Sequence, residues 1–428
     1  MIWAFLSAVL GFTVLSGAVL GAALGLTGFA ILEIFGGGAT RLGVQAVFNV
    51  LAEFTLTAIP LFILLGDILV ASGLAAGIYK AMSPLFGRLR GGLLHTNIAV
   101  CTVFGAVSGS SMSVSAAVGS VAYPELVQRG YDKRLVVGTL AGGGTLGLLI
   151  PPSLSLLIYG ALTDTSIGKL FLAGVIPGLM MALLFMIYIE VKVYLQPQLA
   201  PREKVLPWSE TIQATVAVWP ILILILAVLG SLFAGIATPT ESAAVGVAAA
   251  VIFGFTMGDL NFKKLGKTFF SSATTFAVIA FVFMGAVILA QSISLMQLPQ
   301  KMLEIISGVG MSPLVLLIVI VFIYLLLGMI FDGLSMMVMT LPVVFPLMTG
   351  LGYDPIWLGV VITMMVEIGM LTPPVGMNLF VLVGIAQGKV TLAEAASGAL
   401  AFWVLLMLGV AILTAVPSIA TWLPSVAL

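Results

Sequence analysis

Two short stretches put backbone carbonyls, hydroxyls and prolines inside otherwise apolar sequence. The first is Gly147-Leu148-Leu149-Ile150-Pro151-Pro152-Ser153, and the second is Gly369-Met370-Leu371-Thr372-Pro373-Pro374-Val375. Proline has no N–H to donate and its ring clashes with the preceding turn, so two in succession break a helix. Inside hydrocarbon the freed backbone groups need protein, water, an ion or a solute as partners. Unwound carbonyls suit a cation, and a half-helix N-terminus suits a carboxylate. Gly142, Gly143, Gly144 and Gly147 lead into the first break, where close backbone approach is the competing role. A third stretch, Ser108-Gly109-Ser110-Ser111-Met112-Ser113, gathers hydroxyls around one glycine. Uncharged oxygens of this kind suit Na⁺, with Ser108, Ser110 and Ser111 preferred. The alternative is hydroxyls bonding back to their own helix. In the second half, Asp332-Gly333 interrupts an apolar run shortly after Gly328. A carboxylate there either neutralises a cation or caps a helix. Thr372, Asn378 and the backbone around Gly369 form the second candidate site, the Asn378 amide being able to accept and donate. Glu367 lies between these features, in the interior or near a membrane edge.

Other chemistries find little support. Ser110 has no base in a matching motif, and His95, beside Gly91-Gly92, reads as packing. Cys101 sits in apolar surroundings and reads as a small hydrophobe. No Walker loop marks an ATP-driven pump, and no His or Cys cluster suggests a metal centre or haem. No organic cofactor is expected. Formal net charge is zero and no basic tract exists, so nucleic acid is not an expected partner.

The elements that must position these residues follow from composition. Hydrophobic residues are 61% and charged residues 7% of the chain, against about 25% charged in soluble domains. Apolar runs repeatedly exceed the roughly 18 residues of a membrane span. An all-α, polytopic membrane protein is predicted, with roughly 10 to 13 crossings at that span length. The two breaks belong to a larger repeat: Pro124, Gly130-Tyr131-Asp132, Gly147 and Pro151 recur as Pro346, Gly352-Tyr353-Asp354, Gly369 and Pro373, offset by 222 positions (369 minus 147). Two related halves with broken helices follow, an arrangement common in secondary transporters. Residues 2 to 32 read as one tilted helix or as two divided near Gly25. Ala58 to Ala71 is apolar except for Asp67, and Gly73 to Arg90 reads as interfacial. The first-half span ends at Pro124. Gln196 to Glu210, with Pro197, Pro201 and Pro207, reads as a linker between the halves. Ile212 to Ala234 reads as one span, and Thr238-Pro239-Thr240-Glu241 as a helix start. Asp259 to Lys267 reads as a polar segment, its lysines and the basic 80–90 segment being the two candidates for the cytoplasmic side, and Gly398 to Trp422 as the closing span.

In order along the chain, these motifs resemble the large membrane subunit of the tripartite ATP-independent periplasmic (TRAP) transporters. The resemblance runs through Ile59-Pro60-Leu61-Phe62, Gly105-Ala106-Val107-Ser108-Gly109-Ser110-Ser111, Gly130-Tyr131-Asp132 and Ile150-Pro151-Pro152-Ser153. It continues through Thr238-Pro239-Thr240-Glu241, Glu367-Ile368-Gly369 and Thr372-Pro373-Pro374-Val375-Gly376-Met377-Asn378. It implies an elevator-type carrier with re-entrant hairpins in a bacterial inner membrane, importing a small organic anion such as a dicarboxylate or sugar acid with Na⁺. It implies a first cation site at Ser108, Ser110 and Ser111 with the backbone of Gly144, Leu149 and Pro151. A second is implied at Gly328, Gly369, Thr372 and Val375. Gly147, Pro152, Ser153, Asp332, Gly333, Pro373, Pro374 and Asn378 are then candidates for substrate contact or domain motion. The implied organisation is scaffold and interfacial helices over 1–90, a first transport repeat over 91–169 and linker and scaffold over 170–312. A second transport repeat over 313–397 and a last span over 398–428 complete it. Implied partners are a small membrane subunit as a separate chain, a periplasmic solute-binding protein and membrane lipids. A passive pore and a non-transporting scaffold subunit are the competing functions.

Overall fold

A computed structural model describes residues 2–15, 19–203 and 205–427, and among them every regular element is helical. The N-terminal part contains α1 (Ile2–Leu15), α2 (Leu20–Ile34), α3 (Thr40–Leu51), α4 (Ala58–Ala71) and α5 (Leu74–Phe86). The division of the first apolar run therefore falls ahead of Leu20, not near Gly25. Gly25 lies within α2, where its small size lets the helix pack on Gly285. α4 and α5 meet at a 70° bend, placing α5 across the end of α4.

The first repeat consists of α6 (Leu93–Ser108), α7 (Ser111–Gln128), α8 (Lys133–Leu149) and α9 (Leu154–Thr163). α6 and α7 form a hairpin whose tip is Gly109-Ser110. Gly109 takes a left-handed φ of 62°, which a side chain would strain. Pro151-Pro152 breaks the chain between α8 and α9. The long α10 (Ile167–Leu195) follows, then a linker to α11 (Trp208–Val216), α12 (Trp219–Ile225) and α13 (Ser231–Phe233). Where one span was expected over 212–234, the chain bends by 51° ahead of Trp219-Pro220. Pro220 lies at the start of the new helix, where its missing N–H costs least.

α14 (Pro239–Thr256) starts with the predicted cap: Thr238 and Glu241 satisfy each other's backbone N–H. α15 (Phe262–Leu295) is longer than its apolar pattern suggested and takes in Lys263, Lys264 and Lys267 of the polar segment. After α16 (Leu298–Gly308), the second repeat runs through α17 (Pro313–Gly328), α18 (Gly333–Gly350), α19 (Pro355–Met370) and α20 (Met377–Ile385). α21 (Leu392–Ala415) and α22 (Ser418–Ala427) close the described chain, divided at Val416-Pro417 where a single span was expected. Pro124 does not end its helix either, since α7 continues to Gln128.

Six helices are long and apolar enough to cross a membrane, or up to eight if each of the two bent pairs is one span. Shorter apolar helices, including α6, α17 and α19, make up the hairpins and broken elements. The repeats correspond element by element. Asp132 caps α8 by accepting from the Leu135 N–H, and Asp354 caps α19 by accepting from Ile356 and Trp357. Gly130 and Gly352, one before each Tyr-Asp pair, share a φ of 89°. The repeats also exchange partners: α7 packs on α20, and α18 packs on α9. The Gln196 to Glu210 segment is no loose linker. Glu203 accepts from Arg129 at 2.8 Å and from the Tyr131 hydroxyl at 2.9 Å. Arg88 donates to the Leu206 carbonyl at 3.0 Å and covers the Trp208 ring. Burial pushes the Tyr131 hydroxyl well above its usual range, so it stays protonated as the donor to Glu203.

Candidate functional site

Both hairpin tips open onto one cavity of about 700 Å³. Its walls come from Ser108, Ser110 and Ser113 at the first tip, and from Asp332 and Ser335 at the second. The opposite wall is formed by α4, with Asp67, and by α15 from Lys267 to Ile279.

The two tips are built alike. Ser110 caps α7 by accepting from the Ser113 N–H at 3.4 Å, and Asp332 caps α18 by accepting from the Ser335 N–H at 3.1 Å. Ser110 and Asp332 occupy equivalent repeat positions, as do Ser113 and Ser335 (each pair offset by 222). The repeat thus keeps the cap and changes its charge. Of the lining residues, Ser113 lies in the hydroxyl stretch without being among its preferred ligands, and the sequence gives Ser335 and Lys267 no role at a site. The first two had a signal, the three-residue spacing from a cap to the N–H it receives. Lys267 was hidden by its place in an apparently polar segment.

Around the first tip the packing is tight. A Cβ on Gly66 would sit 2.7 Å from the Ser108 carbonyl. The Leu154 N–H after the proline break donates to the Gly109 carbonyl at 3.3 Å, tying α9 to the tip. The Ser153 hydroxyl donates to the Leu148 carbonyl and accepts from the Leu156 N–H, so this residue closes the break rather than facing the cavity. Gly105 and Gly147 let α6 and α8 cross, a Cβ on Gly105 falling 2.8 Å from the Gly147 Cα. Gly328 and Gly369 do the same for α17 and α19. Both competing roles of these glycines meet here, since close crossing is what brings the tips to the breaks.

Ser111 points away from the cavity. Its hydroxyl donates to Oε1 of Glu367 at 2.5 Å, across the boundary between the two repeats. Glu367 is 1% exposed, placing it in the protein interior. The Leu148 backbone N–H lies beside its carboxylate, while Oε2 has no hydrogen-bond partner. The buried hydroxyls of Ser108 and Ser115 are likewise unpartnered. Ser115 follows Ser111 by one turn and fills the space that Gly144 leaves open; a Cβ there would overlap its oxygen. These oxygens suit a hard monovalent cation, and the carboxylate is a charge that an apolar interior does not tolerate alone.

The second break is placed differently. Pro151 and Pro152 are buried, whereas Pro373 and Pro374 are exposed. The Thr372 hydroxyl donates to the Ile368 carbonyl at 2.7 Å and accepts from Trp403 Nε1 at 3.0 Å. Thr372 and Pro373 line a separate cavity of about 350 Å³ against α21. Asn378 is fully buried, with neither amide atom bonded. The main cavity thus gathers Ser108, Ser110 and Asp332, and leaves Thr372 and Pro373 elsewhere. Among the described residues no cluster of His, Cys, Asp and Glu could hold a metal ion, and Cys101 is buried.

A family model described as "Tripartite ATP-independent periplasmic transporter, DctM component" matches residues 6–419. The C4-dicarboxylate TRAP transporter large permease protein DctM of Pseudomonas aeruginosa is 34% identical over 405 residues, covering 94% of this chain and 93% of its own. The ectoine TRAP transporter large permease protein TeaC of Halomonas elongata is 32% identical over 399 residues, covering 92% of each. The crystal structure of the YdaH transporter of Alcanivorax borkumensis shares the fold, with a TM-score of 0.63 over 90% of this chain and 89% of that one at 16% sequence identity.

Proposed function

Because the chain belongs to the DctM-component family of tripartite ATP-independent periplasmic transporters, we propose that it is the carrier that takes a small carboxylate across a bacterial inner membrane together with Na⁺. Members of this family are transport permeases, not enzymes. A tripartite system supplies the other two parts, a small membrane subunit and a periplasmic binding protein that delivers the solute.

The observation that carries this reading is the shared cavity. Two capped helix N-termini and Lys267 offer positive potential to a carboxylate, and the serines offer donors. Yet the cavity walls hold two aspartates, Asp67 and Asp332, against one lysine. An anion entering alone meets a net negative wall. One that enters after a cation has bound meets a neutral one, and that difference is a coupling free energy between the two ligands. Ser108, Ser110 and the backbone of the first break would hold Na⁺ there, supplying positive charge next to the cavity. The backbone near Gly369 and Thr372 is the candidate for a second ion. The hairpins and broken helices form one interlocked body, α7 on α20 and α18 on α9. That body moving against α4 and α15 is the elevator step we propose. The relatives' names cite a C4-dicarboxylate and ectoine, which share a carboxylate and little else, so the substrate class is set no more finely than that.

The test is uptake into proteoliposomes holding this chain and the small membrane subunit, with the binding protein outside and radiolabelled C4-dicarboxylates or ectoine as probes. Saturable uptake driven by an inward Na⁺ gradient, and absent with K⁺ or choline, is expected. Flux indifferent to the cation gradient would leave a pore, and none at all would leave a non-transporting scaffold.

A further inference from the structure

The two repeats match closely in backbone and differ in charge. Asp332 stands where the first repeat has Ser110, and Glu367 stands where it has Thr145 (each offset by 222). Thr145 spends its hydroxyl on the Gly142 carbonyl of its own helix at 2.6 Å. Glu367 instead leaves its own repeat and takes the Ser111 hydroxyl of the other. The position equivalent to Ser111 is Gly333, which has no side chain to give a carboxylate. One repeat therefore has a buried acid behind its hairpin tip. The other carries its acid on the tip, facing the cavity.

That buried acid lacks a counter-charge. No lysine, arginine or histidine among the described residues forms an ion pair with Glu367; the ion pairs lie around Arg90, Arg129 and Arg134. Its two neighbours, the Ser111 hydroxyl and the Leu148 N–H, are both donors. Both donors favour the ionised carboxylate, but its complete burial opposes that form more strongly, so the charge is sustained only when a cation sits beside it. By donating to Oε1, the Ser111 hydroxyl turns its lone pairs away from Glu367. The unpartnered oxygens of Ser108 and Ser115 belong to the same hairpin.

We infer that Glu367 is the fixed counter-charge of a cation held at the first hairpin tip, orienting Ser111 toward that cation and making the first repeat bind sodium more tightly than the second. This rests on the sodium reading above and goes beyond it by assigning a positioning residue from one repeat to the site of the other. It makes the two sites unequal despite their shared backbone, and it spans the boundary between the repeats, so the cation would also hold them together.

The experiment is a NaCl titration of thermal stability for the purified chain with its small membrane subunit, at constant ionic strength with choline chloride. Glu367→Gln keeps an acceptor for Ser111 and removes the charge. Its half-saturating Na⁺ for the tighter phase should rise about tenfold or more, the scale expected when a unit charge is removed a few ångströms from a cation in a partly polar interior. Glu367→Asp, which keeps the charge, should stay within about threefold of the parent on the same reasoning. A purely structural role would lower stability equally in Na⁺ and choline and leave the half-saturation unmoved, and that result overturns the inference while sparing sodium coupling. Should Glu367→Gln fail to fold, Glu367→Thr, which installs the residue of the equivalent first-repeat position, gives the same reading: an unchanged half-saturation overturns the inference, and a raised one supports it. Absence of any sodium response in the parent protein overturns the sodium reading, and this inference falls with it.

Discussion

At Gly328 the α17 and α19 backbones nearly touch. A methyl group there would overlap the Gly369 Cα. Backbone cannot rotate aside as a long side chain can, so Gly328→Ala must push the helices apart. We expect it to cost about 2–3 kcal/mol or more, seen as a lowered unfolding temperature in detergent. Gly77 on α5 faces open space, with nothing within 4 Å of where an alanine methyl would sit. There Gly77→Ala should raise stability by about 0.4–1 kcal/mol through the unfolded chain. Residues of this kind were only half legible in the sequence. That glycines and hydroxyls gathered near the breaks was plain, but Glu367 was left undecided between interior and membrane edge. Its partner lies 256 positions away, and no local spacing reports a contact of that range.

Elements were read best where two local signals coincided. Each proline pair, preceded by Gly-Tyr-Asp at one offset, marked a break, and both breaks formed as expected; the caps at Asp132 and Asp354 are an addition of the structure. Single prolines misled. Pro124 sits inside α7, whereas Pro220 opens a new helix within what read as one span. A lone proline removes one hydrogen bond, and the neighbours of a packed helix can absorb that; whether they do is a property of the tertiary fold. The cap of α14 was legible and invites a test. Thr238→Ala removes one half of a reciprocal pair and should cost about 1 kcal/mol, with Thr238→Ser nearly neutral, by thermal unfolding. The segment over 196–210 read as a linker, but Glu203 bonds it to the turn between α7 and α8. Glu203→Ala should cost about 1 kcal/mol at low ionic strength and less as choline chloride screens the partly exposed Arg129.

For the whole molecule, the fold class, the membrane setting and the duplication followed from composition and the shared offset. The position of α15 did not, because its cavity-lining lysine lies in a stretch legible only as polar. Ser110 and Thr275 stand on facing sides of the cavity, one on the hairpin body and one on α15. Cys101 is fully buried, so it need not be removed. A bifunctional maleimide joining Ser110→Cys to Thr275→Cys should arrest uptake completely, beyond the partial loss that the same reagent causes on either single variant. Unimpeded uptake after complete cross-linking, assayed in proteoliposomes, would show that the hairpins need not move against α15.

The length of α15 has a further consequence. Past Lys267 it runs on to Leu295, roughly 42 Å of helix at 1.5 Å per residue. Hydrocarbon is about 30 Å thick, so a helix of this length either leans or leaves its Ser- and Thr-rich start and its Gln291–Ser294 end in the headgroups. Phe269, Phe281 and Leu295 stay exposed along it outside the cavity, as befits a surface bathed in acyl chains. A thicker bilayer would stand the helix up and a thinner one would lay it down. Because the same helix walls the cavity, the width of the passage becomes a function of lipid chain length. Transport rate and the Ser110–Thr275 cross-linking yield should then vary together across vesicles of graded acyl length.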